Sequence, residues 1–542
     1  MSRRLQRSAL LCLFAASIVA CSRGGVSPGG PAALPPVADA HRLKQAVSGQ
    51  ITIEGRVTSI VPTPYFHVVV DVSGQSASVY TSELKTAKPG DTVRAVGFYN
   101  SLGNFQASSA SIVSTASSSP TPSSSPLPST SPSPVPAPSS EVPGVIKQFQ
   151  VFDYDITAAQ STSNAPKMSV VWGAGIGDAG ANPHTWLAGN SHLAATQYVV
   201  QPTDHYAVSH HDLAWWQSNH PDWIVYDCDE YNRPTRTVAY QPGLPQDVPL
   251  DIHNPSVVSY QIHTAAAFAI AHGANAIAAD QTLFFDYDGN QQPGWFGCGV
   301  YARDGSFVRR WGAAKGGFPN YDPQWNHDVA GWVASAKTIL TTDEALEPHH
   351  IKLFVNHPAG SVSNPDELTV AANVDGDVNE TGFTDYGHYA TSPHLFKSTL
   401  DYMELVQAKG KQALEVAKFG GGISPAQLAY AIATFLIGNE GRASLFISPG
   451  SYGEIINYPQ ISTVNSKLGT ACGSYSTIAG GYAYERKFSG GLVIVNPGVG
   501  GTVSVSLSHA YANLMGGTIG IGALSVGPAQ AYVLLTSSNG CV

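Results

Sequence analysis

Charged side chains are scarce in this chain, 12% of its 542 residues, yet carboxylates gather at the ends of short apolar runs. QFQVFDYD runs through Asp153 to Asp155, DWIVYDCD through Asp227 to Asp229, and NAIAAD ends on Asp280. GDVNE ends on Glu380, and IKLFVN ends on Asn356. An acid at one strand end commonly caps a helix or bonds loop amides. That explains any one of these acids more easily than it explains the set. Two carboxyl groups facing one another can do acid–base and nucleophilic work. One protonates a leaving oxygen, and the other attacks carbon or activates water, as cleavage of a glycosidic bond requires.

Asp280 and Glu380 are the candidate catalytic pair. Asp280 closes a fully apolar run, so it leaves a buried strand in a fixed direction. Glu380 precedes Thr381-Gly382-Phe383, a tight exit that exposes it. Glu380 is assigned as the acid and Asp280 as nucleophile or base. Asp153, Asp155, Asp227, Asp229 and Asn356 are candidate contacts for sugar hydroxyls. Trp172 and Tyr452 are candidate faces for a sugar ring. This chemistry calls for no cofactor and no metal.

The elements that must position these groups alternate. Between about 145 and 480, nine strand candidates are separated by helices. Asn254-Pro255 opens one helix and Gly273 closes it; Ser424-Pro425 opens another and Gly438 closes it. An N-cap, a proline in the first turn and a closing glycine have the expected polarity. Short apolar strands alternating with helices mean a parallel sheet of the α/β class. Eight or nine units fit a (β/α)8 TIM barrel, with an open doubly wound sheet as the alternative. Residues 481–542 return to alternating strands and are expected to form a C-terminal antiparallel β-sandwich. Five alternating runs within 41–113 resemble a small OB-like β-barrel, read as a spacer or adhesion module ahead of a nucleic-acid binder. The Ser/Pro-rich stretch 114–143 between the two parts is a linker.

The first twenty residues read as a signal peptide: Arg3, Arg4 and Arg7 precede an apolar run. Ile18-Val19-Ala20-Cys21 resembles a lipobox, so Cys21 is the expected lipidation site and the protein an exported, membrane-anchored lipoprotein of the cell envelope, with outer-membrane sorting in a Gram-negative host. An ordinary cleaved signal is the alternative. Cys228, Cys298, Cys472 and Cys541 then remain for two disulfides with three possible pairings. The expected pairs are Cys228 with Cys298 and Cys472 with Cys541. A net charge of −10 argues against a nucleic-acid partner. GIGDAG (175–180) fits a dinucleotide-binding pattern, but Pro183 and Gly189 interrupt the helix such a site needs. DYDGN (286–290) begins like a calcium loop without the closing glutamate. His205, His210, His211 and His220 crowd one region without zinc-ligand spacing.

PDWIVYDCDE (221–230), VPLDIHNPSVVSYQI (248–262), GANAIAADQ (273–281), FGCGVY (296–301) and VDGDVNETGFT (374–384) together resemble a family of bacterial barrel proteins. It is the hypothetical glycosyl-hydrolase-like family 15. The resemblance covers about 145–540 and implies a TIM barrel with glycosidase activity on an unspecified sugar. Gln281 departs from it, since Asn is expected after the strand-end Asp. Two functions follow as expectations: an exported glycoside hydrolase acting on a polysaccharide, or a non-catalytic carbohydrate-binding surface lipoprotein.

Overall fold

The computed structural model describes residues 51–114 and 142–541, apart from short internal stretches of which the longest are 285–296, 312–321 and 385–392. The signal-like segment with Cys21, most of the Ser/Pro-rich run, Asp229 and the DYDGN segment lie outside the described residues. Among those described, no helix is long and apolar enough to cross a membrane. The chain forms two compact units.

The smaller unit is a closed five-stranded barrel. Its strands lie in the order Ile51–Val61, His67–Val72, Gln75–Tyr80, Phe105–Ser114 and Thr92–Tyr99, the last pairing back with the first. All neighbours are antiparallel except Gln75–Tyr80 with Phe105–Ser114.

The larger unit is built on a closed barrel of eight parallel strands. In chain order they are β1 (Lys147–Val151), β2 (Met168–Trp172), β3 (Ala194–Val200), β4 (Ala276–Asp280), β5 (Lys352–Asn356), β6 (Gly376–Asn379), β7 (Gln412–Lys418) and β8 (Ala443–Ser448). A helix follows each: α1 (Ala158–Asn164), α2 (Pro183–Gly189), α3 (Pro255–Ala271), α4 (Pro323–Thr342), α5 (Pro365–Asn373), α6 (Pro393–Ala408), α7 (Pro425–Gly438) and α8 (Pro459–Lys467). The strands read as apolar runs because both of their faces are covered; every residue of β4 and of β8 is buried. Alternate residues fill the lumen, among them Phe149, Val170, Trp172, Ala278, Phe354, Val378, Leu414 and Phe446.

One expected barrel strand belongs elsewhere. Val225–Cys228, within the DWIVYDCD run, pairs antiparallel with Pro234–Val238 and Gly299–Tyr301 in a four-stranded sheet. That sheet is built from the connections that follow β3 and β4. Val225 and Cys228 are buried while Tyr226 and Asp227 are half-exposed, and the pairing with Pro234–Val238 shifts register between Tyr226 and Cys228. The Cys228–Cys298 disulfide staples the two connections, with Cα atoms 5.8 Å apart.

After α8 a six-stranded antiparallel sheet begins at Ser476–Ile478 and faces a two-stranded one, Val503–Leu507 with Gly522–Val526. Strand Gly491–Asn496 is buried on both sides. Val493 and Val495 pack into the core that contains α7, while Leu492 and Ile494 meet the small sheet. This explains why α7 is apolar all round: the barrel lies on one side of it and the C-terminal sheet on the other. Arg486 locks the joint. Its guanidinium donates to the carbonyls of Leu436, Ile437 and Asn439 at the end of α7, at 2.9–3.2 Å, and pairs with Glu440 at 2.8 Å. The second disulfide joins Cys472 to Cys541.

Candidate active site

The C-terminal ends of the barrel strands converge on one face, where barrel enzymes carry their chemistry. Asp280 ends β4 with its side chain toward the lumen axis, two residues on from the inward-facing Ala278. Three donors hold its carboxylate. Oδ2 accepts from the Tyr198 hydroxyl at 2.6 Å; Oδ1 accepts from Asn356 Nδ2 at 2.8 Å and from the Gln281 amide at 2.9 Å. Glu380 lies just past β6 and is half-buried. Its Oε1 accepts from the Tyr452 hydroxyl at 2.6 Å and its Oε2 from Asn356 Nδ2 at 2.9 Å. One amide nitrogen thus serves both carboxyl groups, which holds the bonded oxygens within about 6 Å of each other. Burial, with the Glu380 charge second, pushes Asp280 up to about 6.

The turn that presents Glu380 is specified locally. Asn379 Oδ1 accepts from the Gly382 amide at 3.1 Å and the Thr381 hydroxyl at 3.0 Å, an Asx-type turn. Gly382 has φ 50°, and a Cβ there would stand 2.1 Å from the Val416 carbonyl oxygen. Beneath the turn lies a second polar cluster, between strands and helices. Asn379 donates to Glu415, the Tyr402 hydroxyl donates to Asp377 at 2.7 Å, and His357 Nε2 lies 2.7 Å from Glu367. Burial pushes Glu415 up to about 8 and Asp377 up to about 7. His357 is pushed up to about 9: burial opposes its charge, but Glu367 outweighs that. His357 and Asn379, the chain neighbours of Asn356 and Glu380, are held in this cluster.

Phe152 joins the two halves of the site. Its ring meets Tyr198 edge-on at 5.4 Å and Tyr452 edge-on at 5.9 Å, the two tyrosines that bond Asp280 and Glu380. Phe152 has φ 54°, a strained conformation for a non-glycine residue. Lys418 ends β7 with its ammonium 4.1 Å from the centre of the Tyr452 ring. Burial pushes it down, against the pull of Glu380. His205 meets Tyr198 edge-on at 5.7 Å, and its Nδ1 is 3.1 Å from Asp247.

The structure therefore brings Asp280, Asn356, Glu380 and Tyr452 together. It separates the other sequence candidates from them or covers them. Asp153 is fully buried and makes an internal clasp: the amides of Gly175, Ile176 and Gly177 and the Trp186 indole all donate to its carboxylate, at 2.8–3.3 Å. The GIGDAG loop does form an anion-binding nest, and Asp153 itself fills it. Asp155 is exposed in the loop beyond β1. Asp227 belongs to the four-stranded sheet and not to a barrel strand end. Trp172 is 3% exposed within the lumen core, so its faces are already covered. Tyr452 offers its hydroxyl to Glu380 as well as a ring. Tyr198, Phe152 and Lys418 were missed. Alternation within TQYVVQ and QALEVAKF points Tyr198 and Lys418 inward with Thr196 and Val416, a signal that was there to read. Among the described residues, no group of three or more His, Cys, Asp or Glu is placed to hold a metal.

No family model matches the chain, so the resemblance to family 15 has no support from that side. No curated protein matches it either. Solved structures do. A noncanonic maltogenic alpha-amylase from Thermotoga neapolitana is 12% identical, with a TM-score of 0.40 over 73% of this chain and 99% of that one. An alpha-amylase from Anoxybacillus is 9% identical, with a TM-score of 0.38 over 73% and 99%. A sulfoquinovosidase from E. rectale is 9% identical, with a TM-score of 0.38 over 72% and 62%. The barrel assignment rests on this chain's own strand pairing. It defines a (β/α)8 protein with two bridged carboxyl groups at the mouth of the barrel.

Proposed function

We propose that this chain is a glycoside hydrolase that cleaves a polysaccharide with retention of configuration. The observation that carries the reading is the single Asn356 amide bonded to both Asp280 and Glu380. Retaining pairs stand about 5–5.5 Å apart, whereas inverting pairs need about 6.5–9.5 Å to admit a water. Asp280, held by three donors, is the nucleophile. Glu380, the more exposed, is the acid. Glu380 protonates the glycosidic oxygen as Asp280 Oδ2 attacks the anomeric carbon; the C–O bond breaks and the leaving sugar departs as an alcohol. Glu380 then takes a proton from water, whose oxygen displaces Asp280 from the same carbon. One proton on the pair is what this cycle requires at its start. Burial and the Glu380 charge push Asp280 up to about 6, so the pair holds a proton in mildly acidic solution, and attack requires that proton on Glu380 with Asp280 ionised.

The finer readings extend the proposal. Cys21 carries a lipid, the chain is exported, the Ser/Pro-rich run is its stalk, and the small barrel is an OB-like spacer or adhesion module. Replacing Cys21 by Ser should release the protein from the membrane fraction; unchanged membrane retention would count against the anchor. The family 15 relationship remains part of the proposal on the motifs quoted above.

The test of function is hydrolysis of a panel of bacterial exopolysaccharides, plant glycans and aryl glycosides. Wild type should cleave at least one, Asp280→Asn and Glu380→Gln should lose at least a hundredfold, and azide should restore Asp280→Gly through a glycosyl azide of opposite configuration. Cleavage unaffected by either change would remove the pair from the chemistry. Binding of a glycan without cleavage would establish the non-catalytic reading instead.

A further inference from the structure

Lys418 puts a positive charge at the mouth of the barrel that the two-carboxyl chemistry does not use. It ends β7 and points inward with Leu414 and Val416. Of the eight barrel strands, only this one ends in a cation. Lys418, Tyr452 and Glu380 are all half-exposed, so solvent, and a ligand that replaces it, reaches all three. The ammonium lies 4.1 Å from the centre of the Tyr452 ring, and the hydroxyl of that ring donates to Glu380 at 2.6 Å. One ring thus spans from the ammonium to the acid. Both Glu380 oxygens accept from other donors, Tyr452 and Asn356, and the ammonium sits over the ring instead. A lysine kept to neutralise the pair belongs on those oxygens.

For a neutral sugar this arrangement is a poor one. An ammonium beside a general acid favours the ionised form of that acid, the reverse of what acid catalysis needs. It also costs free energy to hold a charge partly out of water, and burial does push the Lys418 ammonium down against the pull of Glu380. Methionine or glutamine at this position would avoid both costs. An anion arriving on the substrate removes both, because it pairs with the ammonium and cancels its pull on the acid. The chain's net charge of −10 gives an acidic polymer no general attraction, so a local cation must supply it. We propose that Lys418 is a specificity-determining residue that binds an anionic substituent, a carboxylate or a sulfate ester, on the sugar seated against Asp280 and Glu380, so that the substrate is an acidic polysaccharide. This rests on the glycosidase reading.

The experiment compares wild type with Lys418→Met, Lys418→Gln and Lys418→Arg. The probes are matched pairs: a uronic-acid polysaccharide and its carboxyl-reduced form, a sulfated polysaccharide and its desulfated form, and aryl uronides with their methyl esters. Wild type should prefer the charged member of a pair by at least about tenfold in kcat/KM, and by less as salt is raised. The pair that shows the preference tells carboxylate from sulfate. In the Met and Gln variants the preference should collapse to within about twofold, through a larger fall on the charged member, while the Arg variant keeps part of it. Calorimetric titration of the Asp280→Asn protein, with and without the Lys418 change, reads the same preference in binding alone. Equal losses on charged and neutral members would make Lys418 a partner of the carboxyl pair and overturn the proposal. Cleavage by wild type without preference for the charged member of any pair would sink the Lys418 role and leave the hydrolase reading standing. A Lys418-dependent preference in binding with no cleavage would do the opposite. Wild type that neither binds nor cleaves any member would overturn both.

Discussion

Replacing Asn356 by Leu removes the one donor shared by the two carboxyl groups while keeping roughly the size of the side chain. Two unit charges about 5 Å apart repel by about 3 kcal/mol at an effective dielectric near 20. The Asn356 amide offsets part of this, at 2.8 Å from Asp280 and 2.9 Å from Glu380. A hydrogen bond to a charged acceptor contributes about 1.5–3 kcal/mol net, and one to a neutral acceptor about 1 kcal/mol. Protonating one carboxyl group therefore sacrifices about 0.5–2 kcal/mol of Asn356 bonding. Without the amide that penalty vanishes, and the proton is held more tightly by about one pKa unit. The pair, with Asp280 already pushed up to about 6, should then titrate near 7. Carbon-13 NMR titration of carboxyl-labelled protein reads this without a substrate. The alkaline limb of kcat/KM should move up by the same unit. A titration unmoved by Asn356→Leu would mean that the amide does not mediate between the carboxyl groups, and the bridge would lose its role.

Three further expectations follow from the same geometry. Phe152→Leu removes the edge contacts to Tyr198 and Tyr452, worth about 0.5–1.5 kcal/mol each, and should lower kcat several-fold with a smaller change in KM; a loss of stability with kcat unchanged would make Phe152 merely a core residue. Thermal stability should fall as pH rises from about 5 to about 9. Asp280, Asp377 and Glu415 have folded pKa values raised to about 6, 7 and 8, so the folded state holds protons that the unfolded chain has released, and it loses that advantage across this range. His357, raised to about 9, has the same sign, since its contribution is complete below its unfolded value and is lost through about 9; a melting temperature that rises with pH would contradict the buried cluster. Arg486→Met leaves the carbonyls of Leu436, Ile437 and Asn439 without their donor and should cost about 3–5 kcal/mol in urea unfolding, with a cost below about 1 kcal/mol counting against the joint.

The barrel was legible because its strands are buried on both faces and therefore spell continuous apolar runs. The DWIVYDCD run misled because its apolar and polar residues are mixed, and four of its residues form a strand of a separate antiparallel sheet outside the barrel. Its partner, Gly299–Tyr301, comes from beyond β4, and only the pairing of Cys228 with Cys298 hinted at that closeness. The helix starts carried more signal than was read. Asn182-Pro183, Asp322-Pro323 and Asn364-Pro365 have the same cap-and-proline form as the two openings that were recognised. In the site, a strand-end acid shows where a carboxylate stands but not what meets it. Asp153 and Asp280 look alike in sequence. One is clasped by the loop amides of its own neighbourhood, and the other faces Tyr198, Asn356 and Glu380 from three different strands. Those partners lie 76 to 100 residues from Asp280 in the chain, and only closure of the barrel unites them.

The most direct measurement of the central claim is the anomeric configuration of the first-formed product, followed by proton NMR on a glycoside that wild type cleaves. Retention is the expected result on the proposed mechanism, because one Asn356 amide holds an oxygen of Asp280 and one of Glu380 within about 6 Å of each other. Inversion of configuration would contradict it.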